Sequence, residues 1–278
     1  MNLITETKQY FLNCSSSSSS IQKNNSTFNS DITYYIPKFI TNDKNILYYS
    51  AKISHCEIPY SFYIINSNNN KLIINNITYV IDEGNYNAYT LLEKINLLLP
   101  DDFTLNFNEE NGKYNLLCDV FFTISSLSTI NKIIGLDNYN YSGLFDFSTN
   151  KYNLIFPYLV NVSGSKNIYI ETNLITNNLN LNSNSVNVLK SVPVDVPPYG
   201  IILYNNNENI ETIIKNRELN YLEIKLKDDD NQLINFNNIS WSITLEIKIT
   251  KQLTYNNFTL NDFFNNNNIE NLNNSENK

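Results

Sequence analysis

The chain has one histidine, His55, and it stands beside a cysteine, Cys56. A nucleophile–base pair needs a thiol or hydroxyl within hydrogen-bond reach of the imidazole. Tyr49, Ala51, Ile53 and His55 alternate with other residues in a pattern that predicts a strand. Neighbours on a strand point to opposite faces, so the two side chains cannot meet. His55 therefore reads as a strand histidine satisfied by packing or solvent. Zinc needs Cys and His at close ligand spacing, which Cys14, Cys56, Cys118 and a single His do not supply. Asp228-Asp229-Asp230-Asn231 is the densest set of oxygen ligands, but no Gly and no bidentate Glu follow at the spacing of a calcium loop. It reads as a solvated hairpin turn, and Glu109-Glu110-Asn111-Gly112 reads likewise. No phosphate-binding or dinucleotide fingerprint is present, and no carboxylate pair is singled out for glycoside hydrolysis. The expectation is a protein with no catalytic, cofactor-binding or metal site, no cofactor and no enzymatic role.

Composition narrows the partners. Net charge is −8, with 19 Lys plus Arg against 27 Asp plus Glu. Nucleic-acid binding rests on basic residues neutralising phosphates, and no basic block exists, so direct contact with a genome is not expected. The three separated cysteines and the lack of a secretory apolar segment read as reduced thiols in a cytoplasmic assembly site. No run of eighteen apolar residues is present, so no membrane span is expected. Asn accounts for 55 of 278 residues. It is interleaved with Ile, Leu and Tyr instead of forming aliphatic-poor tracts, which favours codon bias over a prion-like segment.

The elements that would position any site are mostly strands. From Ser240 to Thr250, Trp241, Ile243, Leu245, Ile247 and Ile249 occupy one face. Ser242, Thr244, Glu246 and Lys248 occupy the other, which predicts one buried and one solvated face. Leu222, Ile224 and Leu226 alternate the same way just upstream, and Leu233-Ile234-Asn235-Phe236 follows the aspartate turn. Asn75-Asn76 looks like a hairpin turn between Lys71–Asn75 and Thr78–Ile81. Lys113–Cys118, Asn167–Glu171 and Gly200–Tyr204 complete the strand candidates. Ala88–Leu99 predicts a helix, with Asn87 as N-cap, a stripe of Leu91, Leu92, Ile95, Leu98 and Leu99, and Pro100 as stop. A shorter helix is expected over Ser128–Ile134, closed by Gly135. Many short strands separated by turn residues predict an all-β antiparallel sandwich with one or two short helices.

Four stretches, taken in order, resemble the penton (minor capsid) proteins of virophages and Polinton-like viruses. They are Cys56-Glu57-Ile58-Pro59-Tyr60-Ser61-Phe62-Tyr63-Ile64-Ile65-Asn66, the segment Ile81–Leu99, the segment Ser191–Asn205, and Asn220–Ile249 with Trp241 opening its last strand. The resemblance covers most of residues 50–250. It implies a jelly-roll subunit forming homopentamers at icosahedral vertices, among double jelly-roll major capsid proteins. The implied location is the virion, assembled in the host cytoplasm. The resemblance carries no catalytic residues.

The expected organisation is a Ser/Asn-rich N-terminal arm over 1–30, a jelly-roll domain over 31–250 and an Asn-rich tail over 251–278. The arm is either mobile or ordered only on a neighbouring subunit. The segment 66–187 holds more strands than one sandwich needs, which suggests an inserted β-rich subdomain within it. A second functional reading is a β-sandwich module for glycan or host-surface attachment, with Tyr139, Tyr141, Phe145, Phe147 and Tyr152 as stacking surfaces.

Overall fold

A computed structural model describes residues 5–18, 21–24, 28–35, 45–175, 187–207, 210–214 and 221–252. In chain order, the N-terminal strands are β1 (Thr5–Ser15), β2 (Ile21–Lys23), β3 (Asp31–Tyr35) and β4 (Ile46–Pro59). Next come β5 (Lys71–Ile74), β6 (Ile77–Val80), helix α1 (Ala88–Leu98), β7 (Phe103–Asn108), β8 (Lys113–Cys118) and β9 (Thr123–Ile124). Helix α2 (Asn131–Ile134) precedes β10 (Tyr141–Ser142), β11 (Leu144–Asp146) and β12 (Lys151–Ile155). The chain closes with β13 (Asn167–Thr172), β14 (Val188–Pro193), β15 (Ile201–Asn205), β16 (Thr212–Ile214), β17 (Tyr221–Lys227) and β18 (Ser242–Gln252).

Two antiparallel sheets face each other across the first core. One runs β1-β18-β4, with β15 and β16 sharing the far side of β4; the other runs β14-β13-β17-β3-β2. Set β2 aside and count β15–β16 as one strand, and eight strands remain. Their chain order reads 1-8-3-6 in one sheet and 2-7-4-5 in the other. That interleaving of early and late strands is the double Greek key of a jelly roll. The core between the sheets takes Ile53, Ile58, Ile243, Leu245 and Ile247 from one side and Ile32, Ile168, Ile170, Leu222, Ile224 and Leu226 from the other. Period-2 burial along β17, and along β18 from Ser242 to Leu245, is what alternating sequence gives when one face meets a second sheet.

Residues between Ile65 and Phe156 build a second core of their own. It is enclosed by the sheets β10-β9-β5-β6 and β11-β12-β8-β7 together with α1. The Asn75-Asn76 turn has both residues at positive φ, 49° and 65°, with Ile74 opposite Ile77. This is the left-handed pair that a two-residue hairpin demands, and Asn tolerates it. In α1, Asn87 accepts from the Tyr89 and Thr90 amides, and Thr90 returns the contact, which closes a capping box. Leu91 and Ile95 are its buried residues. Asn96 forms a two-way amide pair with the backbone of Leu105, both bonds 2.8 Å, and so ties α1 to β7.

Four expectations need correction. Thr5–Ser15 does not stand apart as an arm: it pairs with β18 over eleven residues, from Thr5↔Gln252 to Ser15↔Ser242. Main-chain hydrogen bonds hold it, since most of its side chains are exposed. Along β4, Thr244 faces His55 and Leu245 faces Ile53, so Ser54 is a bulge. The bulge breaks the alternation that put His55 on the face of Ile53. Leu233–Phe236 is not a strand; it contributes one bridge, Lys227↔Leu233, and buries Ile234 and Phe236 as a loop. The short helix α2 begins at Asn131, because Ser125–Ser128 is a turn with its own hydrogen bond. Residues 253–278, which include most of the expected tail, lie outside the described residues.

Candidate functional site

The residues capable of chemistry are held apart. His55 points outward from β4, its Nδ1 2.7 Å from Asn205 Oδ1 and its Nε2 3.4 Å from Glu57 Oε1. Cys56 is fully buried, and burial pushes its thiol up to about 12. Cys14 is also raised to about 12 by burial. These two thiols lie across β18 from one another, both opposite Ile243, so they sit two strand spacings apart, roughly 10 Å. That is too far for a disulfide. Cys118 lies in the other core with its Sγ 3.7 Å from Asp102 Oδ2. Burial disfavours the thiolate at all three, and the thiolate is the state a nucleophile or metal ligand requires. Among the described residues, no group of three or more His, Cys, Asp or Glu is placed to hold a metal ion. No helix among them is long and apolar enough to cross a membrane.

The aspartate run closes a turn, as its composition suggested. Asp228 accepts from the amides of Asp230 and Gln232, at 3.0 and 2.8 Å. Burial nevertheless leaves its carboxyl above the ordinary carboxylate range. Asp229 accepts from the Lys166 amide at 2.6 Å and from the Tyr169 hydroxyl at 3.2 Å. It thereby fixes the chain where it returns from the second core into β13. Gly164 lies on that return at φ 68°, and a Cβ there would stand 2.9 Å from the Tyr60 hydroxyl. Only glycine fits this approach.

The aspartate turn borders a cleft of about 450 Å³ that spans the two cores, with Tyr63, Asn66, Asn69, Lys132, Asp229 and Asp230 among its lining. Its amides and carboxylates are largely engaged in turns. Asn69 accepts from the Asn66 amide at 2.7 Å and donates to the Ile64 carbonyl at 2.9 Å. Asn66 accepts from the Asn68 amide at 3.0 Å. These two amides are committed to the backbone of their own turn.

An ionic network on the outer face of β4 and β18 escaped the sequence reading, which assigned Glu246 and Lys248 to a solvated face. Glu246 is buried and pairs with Lys52 at 3.1 Å. Lys248 reaches Glu246 at 3.6 Å and also binds Glu211, which accepts from the Ser50 hydroxyl at 2.7 Å. Burial pushes the Glu211 carboxyl up, but the bonds from Lys248 and Ser50 outweigh it and hold the group below its usual range. No local sequence signal marks this network, since Glu211 precedes β16 and stands 37 residues before Lys248 on β18. It cross-links β4 and β18.

Tyr139, Tyr141, Phe145, Phe147 and Tyr152 do not all cluster. Phe145, Phe147 and Tyr152 do: Phe145 meets Phe147 and Tyr152 edge-on at 5.1 and 5.3 Å, and Tyr152 meets Phe121 at 5.6 Å. Phe147 is 91% exposed. Tyr141 is turned away into a hydrogen bond with Asp137, 2.6 Å long, and Tyr139 stands exposed by itself in the ring contacts observed.

The strand order and the two cores define an antiparallel jelly-roll β protein. No family model and no curated protein matches the chain. Among solved structures, it is similar to the crystal structure of selenomethionine-labelled mavirus penton protein. That match has 12% sequence identity and a TM-score of 0.45, covering 87% of this chain and 99% of that chain. The jelly-roll assignment is independent of this likeness and stands on the chain's own hydrogen-bonded strand order.

Proposed function

We propose that the chain is a structural capsid subunit of the penton type, without enzymatic activity. It forms homopentamers at icosahedral five-fold vertices of a virion and contacts a surrounding double jelly-roll major capsid protein. The observation that carries this reading is the landing of the four resembling stretches on the jelly-roll frame and its seam. Cys56–Asn66 ends β4 and leads out to the second core, and Ile81–Leu99 holds α1. Ser191–Asn205 spans β14 and β15, while the fourth stretch holds β17, the aspartate turn, Trp241 and β18. In this reading the segment with the second core is the insertion expected within 66–187, and assembly takes place in the host cytoplasm. Imaging of native particles by cryo-electron microscopy tests it directly. Density for this jelly roll at the five-fold positions is the expected result, and a shell without it overturns the proposal.

The cluster of Phe121, Tyr152, Phe145 and Phe147, in which the three Phe rings are exposed and Tyr152 is half-buried, favours a second reading, a glycan or host-surface attachment module. Solvent-facing rings stack on sugars. A glycan array showing no retention removes it.

A further inference from the structure

We infer that the cleft between the two cores is a binding site for a neutral saccharide, held by Tyr63, Asn68, Glu83, Lys132 and Asp230. The site shares no residue with the ring cluster of Phe121, Phe145, Phe147 and Tyr152, and it does not depend on the penton reading. Its volume of about 450 Å³ falls within the ~300–1,000 Å³ of small-molecule sites. Two sets of lining residues divide the work, and the first builds the walls. Ile65 and Gly84 exchange main-chain bonds of 3.0 and 2.9 Å, which ties the Tyr63 side of the cleft to the Glu83 side. The Ile64 amide donates to Asn85 Oδ1 at 2.9 Å, and its carbonyl accepts from Asn69 at the same distance. Beside Lys132, the Ile133 carbonyl accepts from the Asn161 amide at 2.7 Å. Asp229 is fixed by Lys166 and Tyr169. Walls pinned in this way need little ordering when a ligand enters, which keeps the cost of binding low.

The second set is unengaged. The side chains of Tyr63, Asn68, Glu83, Lys132 and Asp230 line the cleft without a hydrogen bond, ion pair or ring contact to any described residue. Together they offer donors and acceptors. Lys132 donates, the two carboxylates accept, and the Asn68 amide and the Tyr63 hydroxyl do both. An alcohol hydroxyl also does both, so a polyol uses the whole set, whereas a cation would use the acceptors alone. The half-buried Tyr63 ring has no aromatic neighbour and is open to stacking by the C–H side of a pyranose. Charge limits the class of sugar. The lining sets Glu83, Asp228, Asp229 and Asp230 against Lys132, and burial already disfavours the ionised form of Asp228. A field of that sign repels carboxylated and sulfated sugars. The ligand is therefore a neutral hexose or N-acetylhexosamine unit.

Ligand-observed NMR titrations of the full chain test this, with neutral oligomers of mannose, galactose and N-acetylglucosamine as probes and N-acetylneuraminic acid beside them. At least one neutral oligomer is expected to bind, and N-acetylneuraminic acid is expected not to. Asp230→Ala and Tyr63→Ala should each weaken binding by about tenfold or more, as the loss of a hydrogen bond to a charged group or of a stacked ring does. Phe147→Ala, which cuts the ring cluster, should leave this binding in place. The Asp230 side chain is exposed and unbonded, so Asp230→Ala keeps the fold and carries the test even where Tyr63→Ala does not fold. Failure of every neutral probe to bind overturns the inference, and so does binding that Asp230→Ala leaves at full strength. Binding abolished by Phe147→Ala alone moves the sugar to the ring cluster and overturns it as well. A preference for N-acetylneuraminic acid has the same result. Particle imaging tests the penton reading separately, so neither failure implies the other.

Discussion

Lys52 and Glu246 face one another across β4 and β18, Nζ to Oε2 3.1 Å, with side chains only 8% and 7% exposed although they stand on the side of the sheet turned away from the main core. Breaking such a buried pair costs about 3–5 kcal/mol, at the low end here because Lys248 and Glu211 keep charges of both signs beside the group left behind. Glu246→Ala should therefore lower stability by that amount in urea melts. Lys52→Met with Glu246→Leu should recover most of the loss, because an apolar pair leaves no stranded charge. Equal losses for the single and double variants would show that the ion pair is irrelevant to stability.

Trp241 is 1% exposed, and its indole N–H donates to the Asn29 carbonyl at 2.9 Å. Ser16 and Trp241 exchange two more bonds, each 3.1 Å, at the end of the β1–β18 ladder. Trp241→Ala should cost about 3–5 kcal/mol through the cavity it leaves. The stranded Asn29 carbonyl adds about 1 kcal/mol. Trp241→Phe should lose less, since the ring volume is largely kept. Urea midpoints with unchanged slope are the measurement.

The thiols provide a check on both cores. Burial raises Cys14 and Cys56 to about 12, and burial, then the neighbouring Asp102, raises Cys118. At pH 8 an aromatic disulfide reagent should label none of them in the folded chain. In concentrated guanidinium it should label all three. Prompt labelling of one native thiol would mean that its core opens locally.

Acid should loosen the outer network. The Glu211 carboxyl is held below its ordinary range, so its contribution is present above the unfolded value, about 4.3, and is lost as pH falls through the folded value. Thermal melts between pH 7 and pH 3 should fall more steeply for the unaltered chain than for Glu211→Gln. At neutral pH that variant should lose about 1 kcal/mol or less, because the pair is partly screened by solvent.

Much of this architecture is written locally. The alternation from Trp241 to Ile249, the hairpin at Asn75-Asn76 and the capped helix after Asn87 all form as the sequence predicts, because each depends on residues a few positions apart. The separation of His55 from Cys56 needed no more than the pleat of one strand. The penton resemblance, too, rested on short stretches whose order could be followed along the chain.

What the sequence could not decide is whatever depends on a distant partner. Thr5–Ser15 has no buried stripe, so no periodicity announces it; it is a strand because β18, some 230 residues later, offers an open ladder at Asn13↔Thr244. The bulge at Ser54 and the burial of Glu246 arise from register between β4 and β18. The jelly-roll order itself is a pattern of which edges meet. Propensity and hydrophobic period act over a few residues, whereas sheet pairing is settled by main-chain hydrogen bonds between segments that only the folded chain brings together.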